Sequence, residues 1–289
     1  MQHVSVMPAE TLEALQLQSG FSALDCTLGL AGHARLISAA VGPSGHVYAC
    51  DTDSESIVLA KANLVDAPSP VTILHTPFSR ARQALDASGM TAKVDALLAD
   101  FGTSMMHFQT PERGFSLMHD GPLDMRLDRT ADTETAADLV NGLGEKELAN
   151  LIYTTGERRS RAIARALVRA RPIVTMHQFA SVILAAVPRT GKLHPATLSA
   201  LSLRIAVNNE YQEIDTLINE LPSLVRPGGR VAFITFHSGE DLIAKTGTRR
   251  LAKEGKARLI NKHVLIPTPE EVRRNPASRS AKMRVLEML

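Results

Sequence analysis

The amino-acid sequence predicts an α/β fold in which a doubly wound parallel sheet is interrupted by a helical insertion. Strand and helix signals alternate over the first hundred residues, and they alternate again from about residue 196. Alternation of this kind is typical of βαβ units in a parallel sheet. Between about residues 135 and 186 the pattern is helical throughout. We therefore predict a sheet domain of residues 1–104 and 204–289 and an inserted helical domain of residues 105–203.

In the first part of the chain, each predicted strand is followed by a helix or a polar segment. The runs HVYACD at 46–51 and VDALLAD at 94–100 are short and apolar, and each ends in an acid. Ser54 is a candidate N-cap for the helix after the first run, because serine accepts hydrogen bonds from the first N–H groups of a helix. The predicted strands are 22–28, 46–51, 71–78 and 94–100, and the predicted helices are 33–41, 54–63 and one that ends near 87.

The rest of the chain contains the insertion and the second half of the sheet. Residues 101–129 are rich in Gly, Pro, Met and charge, which predicts a long loop. An insertion of about a hundred residues should fold as its own cluster, because structureless loops of that length are uncommon. The predicted helices are 136–141, 146–154, 158–170, 176–186, 196–221 and 240–255; a turn is predicted at 226–229 and strands at 230–236, 257–266 and 282–288.

The composition excludes several classes of protein. The chain has 289 residues, of which 44% are hydrophobic, which suffices for a core. No apolar run approaches the roughly 20 residues that span a bilayer, so we expect no membrane partner. Residues 1–10 do not resemble a signal peptide; we expect a cytoplasmic protein, or a mitochondrial matrix protein if a transit sequence precedes this numbering. Cys26 and Cys50 are too few for a disulfide framework or a full zinc site, so we predict no metal.

The net charge of +2 conceals an asymmetry along the chain. Residues 245–289 hold 12 basic and 4 acidic residues, a net charge of +8, so the rest of the chain carries −6. A second basic cluster lies at residues 158–171. Concentrated positive charge favours phosphate backbones through counterion release. The alternative interpretation is a solvated surface without a partner.

The segment DCTLGLAGH at 25–33 ends the first strand and opens a helix. Glycines such as Gly29 and Gly32 let a backbone turn tightly and approach a ligand. The second strand ends in Asp51, and an acid there can accept both ribose hydroxyls of an adenosine ligand. The segment is neither GxGxxG nor a Walker motif, which favours a ligand without pyrophosphate. The alternative is that the glycines only make a tight turn, and spacing alone leaves the two equal.

Two further candidates follow the third and fourth strands. Phe78 could flank an adenine, although a core position is the alternative for an isolated aromatic. Asp100 ends the fourth strand, and ligands of doubly wound sheets bind at the carboxyl ends of the strands. Its carboxylate could accept a hydrogen bond from a nucleophilic amine; the alternative is that it caps the next segment.

The segment RGFSLMHDGPLDMR at 113–126 closely resembles the RGFSF…DGPLDMRM signature of the RsmH methyltransferases and their mitochondrial relatives. This motif is long and unusual, so a chance match is improbable. The other matching blocks agree in order and spacing, and they extend the resemblance over nearly the whole chain. They lie at 3–7, 153–166, 194–210, 236–241 and 275–282.

The resemblance implies a Rossmann-like class I methyltransferase sheet with S-adenosylmethionine as cofactor. It also implies N4-methylation of a cytidine in the decoding region of small-subunit ribosomal RNA, with this RNA or the assembling subunit as partner. An assembly factor that keeps the fold but has lost efficient transfer is the alternative. The signature argues against a DNA, protein or small-molecule substrate. The cofactor residues of the family fall on Ala31, Gly32, His33, Asp51, Phe78, Asp100 and His107.

This chain departs from the family pattern at several positions. Ala31 replaces a glycine, Leu30 replaces a basic or small residue, and His107 replaces a glutamine. Within the block at 236–241 and just after it, Gly239 and Leu242 replace a leucine and an arginine. None of these changes removes an acid that the pattern makes central, so they indicate a divergent member.

The implied reaction requires a poor nucleophile to be held next to a methyl donor. Asp100 is the first candidate to bind the exocyclic amine, and His237 and Glu240 are outer candidates because their block follows a neighbouring strand. The base must be unstacked to enter the site. Basic residues of the insertion and the tail are expected to hold the RNA backbone; the candidates are Arg158, Arg159, Arg249, Arg250 and Lys253.

Overall fold

The structure is a computed structural model that describes residues 5–189 and 191–289, so the first two residues of the block at 3–7 lie outside it. The chain divides into two compact units. The sheet unit contains the residues up to Gly102 and those from Tyr211 onward, and the helical unit is Thr103–Glu210.

The sheet unit is built on seven strands among the described residues, in the order β3-β2-β1-β4-β5-β7-β6. Strands β1 to β5 are parallel, whereas β7 is antiparallel to both β5 and β6. The carboxyl ends of β1 to β5 therefore share one edge, with β1 near its middle. The bounds are β1 Ser22–Asp25, β2 His46–Asp51, β3 Val71–His75, β4 Val94–Asp100, β5 Val225–Thr235, β6 Ala257–Leu259 and β7 Lys282–Met288.

The described residues also form α-helices in both units. Helices α1 to α4 and α11 to α13 belong to the sheet unit, apart from the first residue of α11, and α5 to α10 belong to the helical unit. None is long and apolar enough to cross a membrane. The bounds are α1 Pro8–Leu15, α2 Gly32–Val41, α3 Ser54–Asn63, α4 Ala81–Ala87, α5 Met105–Gln109, α6 Ala136–Gly142, α7 Glu145–Tyr153, α8 Ser160–Arg169, α9 Met176–Ala186, α10 Thr197–Val207, α11 Glu210–Leu224, α12 Ser238–Lys253 and α13 Pro269–Arg274.

The apolar run of β4 is buried on both faces of the sheet. Leu97 and Ala99 belong to one hydrophobic cluster, while Ala96 and Leu98 belong to another. Side chains alternate between the two faces of a strand, so a strand covered on both sides has no polar positions in its middle. This explains why VDALLAD lacks polar alternation, and why its terminal acid is brought to the edge of the sheet.

The prediction of one helix over residues 196–221 was wrong, because the chain breaks between α10 and α11. Asn209 has a left-handed backbone (φ 49°), which ends α10. Asn208 uses its side chain to hold a neighbouring segment: its Oδ1 accepts from Leu127 N at 2.8 Å, and its Nδ2 donates to Met125 O at 2.8 Å. The two compact units are divided after residues 102 and 210, whereas the sequence predicts domain boundaries after residues 104 and 203.

Other local predictions also need correction, while β2, β4, β7 and α9 have the predicted bounds. The N-cap of α3 is Asp53 rather than Ser54, since Asp53 Oδ1 accepts from Glu55 N. The predicted strand at 257–266 is only Ala257–Leu259, after which Leu265 forms an isolated bridge. The predicted loop at 101–129 contains α5.

Candidate active site

Three acids lie at the carboxyl ends of three adjacent parallel strands. Asp25 ends β1, Asp51 ends β2 and Asp100 ends β4. Because β1 pairs with both β2 and β4, these carboxylates share one edge of the sheet unit. The arrangement follows from the sequence: each apolar run is buried, and the first polar residue after it reaches the edge.

The segment between β1 and α2, residues 26–31, is here called the cofactor loop. Its backbone is tied to the strands on both sides, since Cys26 N donates to Leu98 O and Leu28 N donates to Cys50 O, both at 2.8 Å. Gly29 N donates to Asp51 Oδ2 at 2.8 Å. Asp51 therefore fixes the shape of this loop in addition to any role toward a ligand.

Ala31 lies at the N-cap position of α2 with a left-handed backbone (φ 68°) and is fully buried. Glycine adopts this conformation freely, whereas a residue with a Cβ is disfavoured by about 1–2 kcal/mol. The structure thus gives a physical reason for a glycine at this position in the resembling family. It also shows that the chain keeps the same turn with alanine.

Asp25, Thr27, His33 and Asp100 form a polar cluster at the centre of this edge, in which Asp25 and His33 are buried and the other two are partly buried. Asp25 Oδ1 accepts from Thr27 N at 3.0 Å and from Thr27 Oγ1 at 3.4 Å. Thr27 Oγ1 in turn accepts from Asp100 N at 2.8 Å. His33 Nε2 lies 3.5 Å from Asp100 Oδ2. Within the described part of the chain, Asp25 Oδ2 and Asp100 Oδ1 are buried without a hydrogen-bond partner.

The electrostatics of this cluster favour bound protons. Burial raises the pKa of the Asp25 carboxyl to about 6, although His33 opposes the shift. Desolvation lowers the pKa of His33, but the carboxylates of Asp100 and Asp25 outweigh it, and its pKa lies above the usual value. The folded site therefore holds protons to a higher pH than the unfolded chain does.

Phe78 and His107 are placed in different units. Phe78 begins a 3₁₀ turn after β3 in the sheet unit, and its ring centroid lies 5.7 Å from that of Phe101. His107 lies in α5 of the helical unit, where it is buried with its ring centroid 5.2 Å from that of Phe115. Of the predicted cofactor residues, Ala31, Gly32, His33, Asp51, Phe78 and Asp100 belong to the sheet unit.

His237 and Glu240 form the N-terminal cap of α12, just after β5. His237 Nδ1 accepts from Gly239 N at 3.2 Å, and Glu240 Oε2 accepts from Phe236 N at 2.7 Å. His237 Nε2 lies 3.0 Å from Glu240 Oε1. These two side chains thus have a structural task, and their catalytic role stays a prediction.

A cavity of about 300 Å³ adjoins this cap in the sheet unit. His237 and Ser238 line it from the start of α12, and Arg279 and Lys282 line it from the segment that leads into β7. The block at 236–241 and the block at 275–282, which are distant in sequence, therefore meet in one basic depression.

The predicted RNA-binding residues differ in whether their side chains already bind other residues of the protein. Arg158, Arg249 and Lys253 are exposed, and none has a salt bridge within residues 5–189 and 191–289. Arg159 binds Glu157 Oε1 at 3.0 Å and donates to Pro188 O at 2.8 Å. Arg250 donates to Asn219 Oδ1. The first three residues are therefore better candidates for phosphate contacts.

The segment 113–126, here called the signature loop, is held by its own chain in the helical unit. Gly114 has φ +70°, and a Cβ on it would lie 2.1 Å from Pro122 O. The buried Arg113 donates from Nη2 to Leu127 O at 2.8 Å. Asp124 Oδ1 binds Arg126 Nε at 2.8 Å. The motif that carries the strongest resemblance thus makes contacts that stabilise the helical unit.

Asp25 is the residue that the sequence predictions missed as a site residue, although it begins the segment that attracted attention. The usable signal was its position, since it is the terminal acid of a buried strand just as Asp51 and Asp100 are. The glycines are recognisable in the sequence because a turn demands them, whereas Asp25 is buried only because β2 and β4 flank β1.

Comparisons with known proteins show the family of the chain. The model of a family described as the MraW methylase family matches residues 1–289. The ribosomal RNA small subunit methyltransferase H of Solibacter usitatus is 46% identical over 287 residues, covering 99% of both chains. The protein of the same name from Acidobacterium capsulatum is 44% identical over 295 residues, covering 99% of this chain and 98% of that one.

Among solved structures, the crystal structure of the protein PH0851 resembles this chain with a TM-score of 0.50 at 12% identity. The match covers 98% of this chain and 46% of that one. A likeness at this identity concerns the fold only. Together with the strand order, it confirms the predicted doubly wound, Rossmann-like class of sheet.

Proposed function

This chain belongs to the MraW methylase family, and from that premise we propose that it transfers a methyl group from S-adenosylmethionine to N4 of a cytidine in small-subunit ribosomal RNA. The coarser statement, that it is a ribosomal RNA small-subunit methyltransferase, follows from the family and from relatives that share its whole length. The N4 position and the decoding region are the finer part of the proposal.

The observation that carries the proposal is the row of acids at the ends of β1, β2 and β4. S-adenosylmethionine is a cation with a ribose, and it lacks phosphates. Two buried carboxylate oxygens have no partner among the described residues: the one on Asp25 fits a positively charged ligand, and the one on Asp100 fits the N–H of an amine. Asp51 accepts from Gly29 N and Asp53 N, which places its carboxylate beside the cofactor loop, where it would accept from the ribose hydroxyls.

The cofactor loop fits the same ligand. With Gly29 and Ala31 in left-handed conformations, the backbone turns sharply next to Asp51, and α2 begins at Gly32. The loop contains no lysine or arginine that could bind a phosphate. Asp51, Gly32 and His33 would hold the cofactor, which supplies an activated methyl group when bound.

The chain's own task in the reaction is to position and polarise the amine. The exocyclic nitrogen of cytosine is a weak nucleophile because its lone pair is conjugated with the ring. Methyl transfer would replace the S–C bond of the donor by an N–C bond, and the nitrogen would pass one proton to the carboxylate of Asp100. The carboxylate of Asp100 accepts a hydrogen bond from this N–H and orients its lone pair, which is a contribution of general-base type.

Methylation of small-subunit RNA from cells that lack this protein tests the proposal. Mass spectrometry of the digested RNA should show one N4-methylcytidine after incubation with the protein and S-adenosylmethionine. Transfer RNA and DNA serve as substrate controls, and the Asp100→Asn variant serves as the protein control. A methyl group at another atom would contradict the N4 assignment. Binding to the RNA without any transfer would favour the assembly factor.

The exposed basic residues of α12 supply a second test. Arg249 and Lys253 are four residues apart and therefore share one face of the helix. If both meet phosphates, Arg249→Ala with Lys253→Ala should make the log–log salt slope of RNA affinity shallower by about 1.4, at ~0.7 per phosphate. Arg250→Ala is the matched control, because Arg250 is already bound to Asn219. An unchanged slope in the double variant would mark this face as a solvated surface.

A further inference from the structure

Asp25 stands out among the charged residues of the sheet unit, because it is a fully buried acid whose second oxygen is unused. Its Oδ1 accepts two hydrogen bonds from Thr27, whereas Oδ2 has no partner among the described residues. Burying a charged group that is not fully paired is costly, and such groups in native folds call for an explanation. An asparagine could accept the same bonds from Thr27, so the fold alone does not require the acid.

Thr27 couples Asp25 to Asp100. Because Thr27 Oγ1 accepts from Asp100 N at 2.8 Å, its hydroxyl hydrogen is left to donate to Asp25 Oδ1. Thr27 thus links the two acids, which end neighbouring strands. Each acid has one buried oxygen without a partner in the described chain. His33 is a basic group that acts on both acids, since it lies next to Asp100 and its charge opposes the shift at Asp25.

The charges around Asp25 leave an excess of negative charge. The titratable groups that face it are His33 from α2, Asp100 from β4, the adjacent Cys26, and Cys50 from β2. Burial raises the pKa of both thiols, so they stay neutral. Within the described residues, no lysine or arginine contributes to the charge balance at Asp25. One imidazole cannot neutralise two carboxylates.

We propose that Asp25 determines the preference of the site for the cationic methyl donor over the spent cofactor. This inference rests on the proposed function. S-Adenosylmethionine carries a sulfonium charge, which S-adenosylhomocysteine has lost, while the rest of the two molecules is the same. A buried carboxylate acts strongly on such a charge because the surroundings screen it weakly. Asp25 therefore strengthens binding of the donor and favours release of the product.

Titration calorimetry of wild type and Asp25→Asn with each ligand separately tests this role. Asp25→Asn should lower the affinity for S-adenosylmethionine at least tenfold and the affinity for S-adenosylhomocysteine less than threefold. A merely structural role would lower both affinities by the same factor, since the two ligands share every other contact. Asp95→Asn is the matched control: this acid lies in β4, accepts from Ser22 N, and should leave both affinities unchanged.

A second measurement needs no variant. In wild type, protonation of Asp25 and His33 removes negative charge from the site, so the preference for the donor should fall at least threefold between pH 8 and pH 5. A preference that is independent of pH, or equal losses in Asp25→Asn, would overturn the role of Asp25 and leave the proposed function intact. A wild-type protein that binds neither ligand would overturn both.

Discussion

The cofactor loop in the sheet unit and the signature loop in the helical unit are both glycine-containing segments, but their polar groups are used differently. In the signature loop, Arg113 donates to the carbonyl of Leu127, just after the segment, and Asp124 accepts from Arg126 within it. Beside the cofactor loop, Asp25 and Asp100 each keep a buried oxygen without a partner within the described residues. The more recognisable motif thus serves the fold, and the less recognisable one leaves its chemistry available to a ligand.

The largest effect is expected in the signature loop. Gly114→Ala places a Cβ 2.1 Å from Pro122 O at a positive φ, so the free energy of unfolding should fall by about 3 kcal/mol or more. Urea unfolding of the variant measures this loss. Gly142→Ala is the control, because a Cβ there meets nothing within 4 Å and should not destabilise the protein. A Gly114→Ala protein of normal stability would break the comparison.

Asp100→Asn should affect turnover and spare stability. The amide keeps the shape but loses the charge that orients the amine, so turnover should fall by about 10²–10³-fold, the scale of a lost charge-assisted contact in the transition state. Single-turnover methyl transfer measures the rate, and calorimetry should show cofactor affinity within a few-fold of wild type. Equal turnover would refute the role. Loss of cofactor binding would make Asp100 a binding residue.

Asp51→Ala should weaken both forms of the cofactor alike, because the ribose is common to them. The expected loss is about 1.5–3 kcal/mol, or roughly 10- to 150-fold in Kd, the scale of hydrogen bonds to a charged group. The variant also loses the bond that holds Gly29 N, so the cofactor loop should become less ordered. Asp66→Ala, an exposed acid of the same unit, is the calorimetric control. Unchanged affinity in Asp51→Ala would remove Asp51 from the site.

The raised pKa of Asp25 makes stability depend on pH. Its folded value of about 6 exceeds the ordinary value of 3.8, so its contribution is fully present below about pH 4 and is lost as the pH rises through 6. At pH 7, Asp25→Asn should therefore be more stable than wild type, by an amount on the order of 1–3 kcal/mol. Urea midpoints at pH 4.5 and pH 7 measure it. A variant less stable than wild type at pH 7 would contradict the conclusion that the buried, charged carboxylate of Asp25 destabilises the fold.

The smallest effect is expected at Ala31. Ala31→Gly relieves a left-handed backbone and should stabilise the protein by about 0.5–1 kcal/mol, with cofactor affinity within twofold of wild type. Thermal unfolding is sensitive enough to detect this gain. Ala34→Gly, within the regular part of α2, is the matched control and should destabilise the protein. A destabilised Ala31→Gly would show that the buried methyl group outweighs the strain.

The sequence predicted those parts of the fold that depend on local patterns. The bounds of β2, β4 and β7 follow from short apolar runs. Asp51 and Asp100 were predicted because they are the acids that end β2 and β4. The break between α10 and α11 was not predictable from local sequence, because the side chain of Asn208 forms hydrogen bonds with residues 125 and 127, which are distant in sequence. Asp25 was missed for the same reason: its burial arises from neighbouring strands, not from its own segment.

The position of β7 has a consequence for how this protein is made. Among the seven strands of the described residues it comes last in the sequence, yet it lies between β5 and β6 rather than at the margin of the sheet. Its residues Val285 and Leu286 are buried, and β6 reaches the sheet only through it. The helical unit can fold while the chain is still growing, whereas the sheet must wait for β7 to leave the ribosome exit tunnel. A newly made copy of this protein therefore completes its sheet only after β7 has been synthesised.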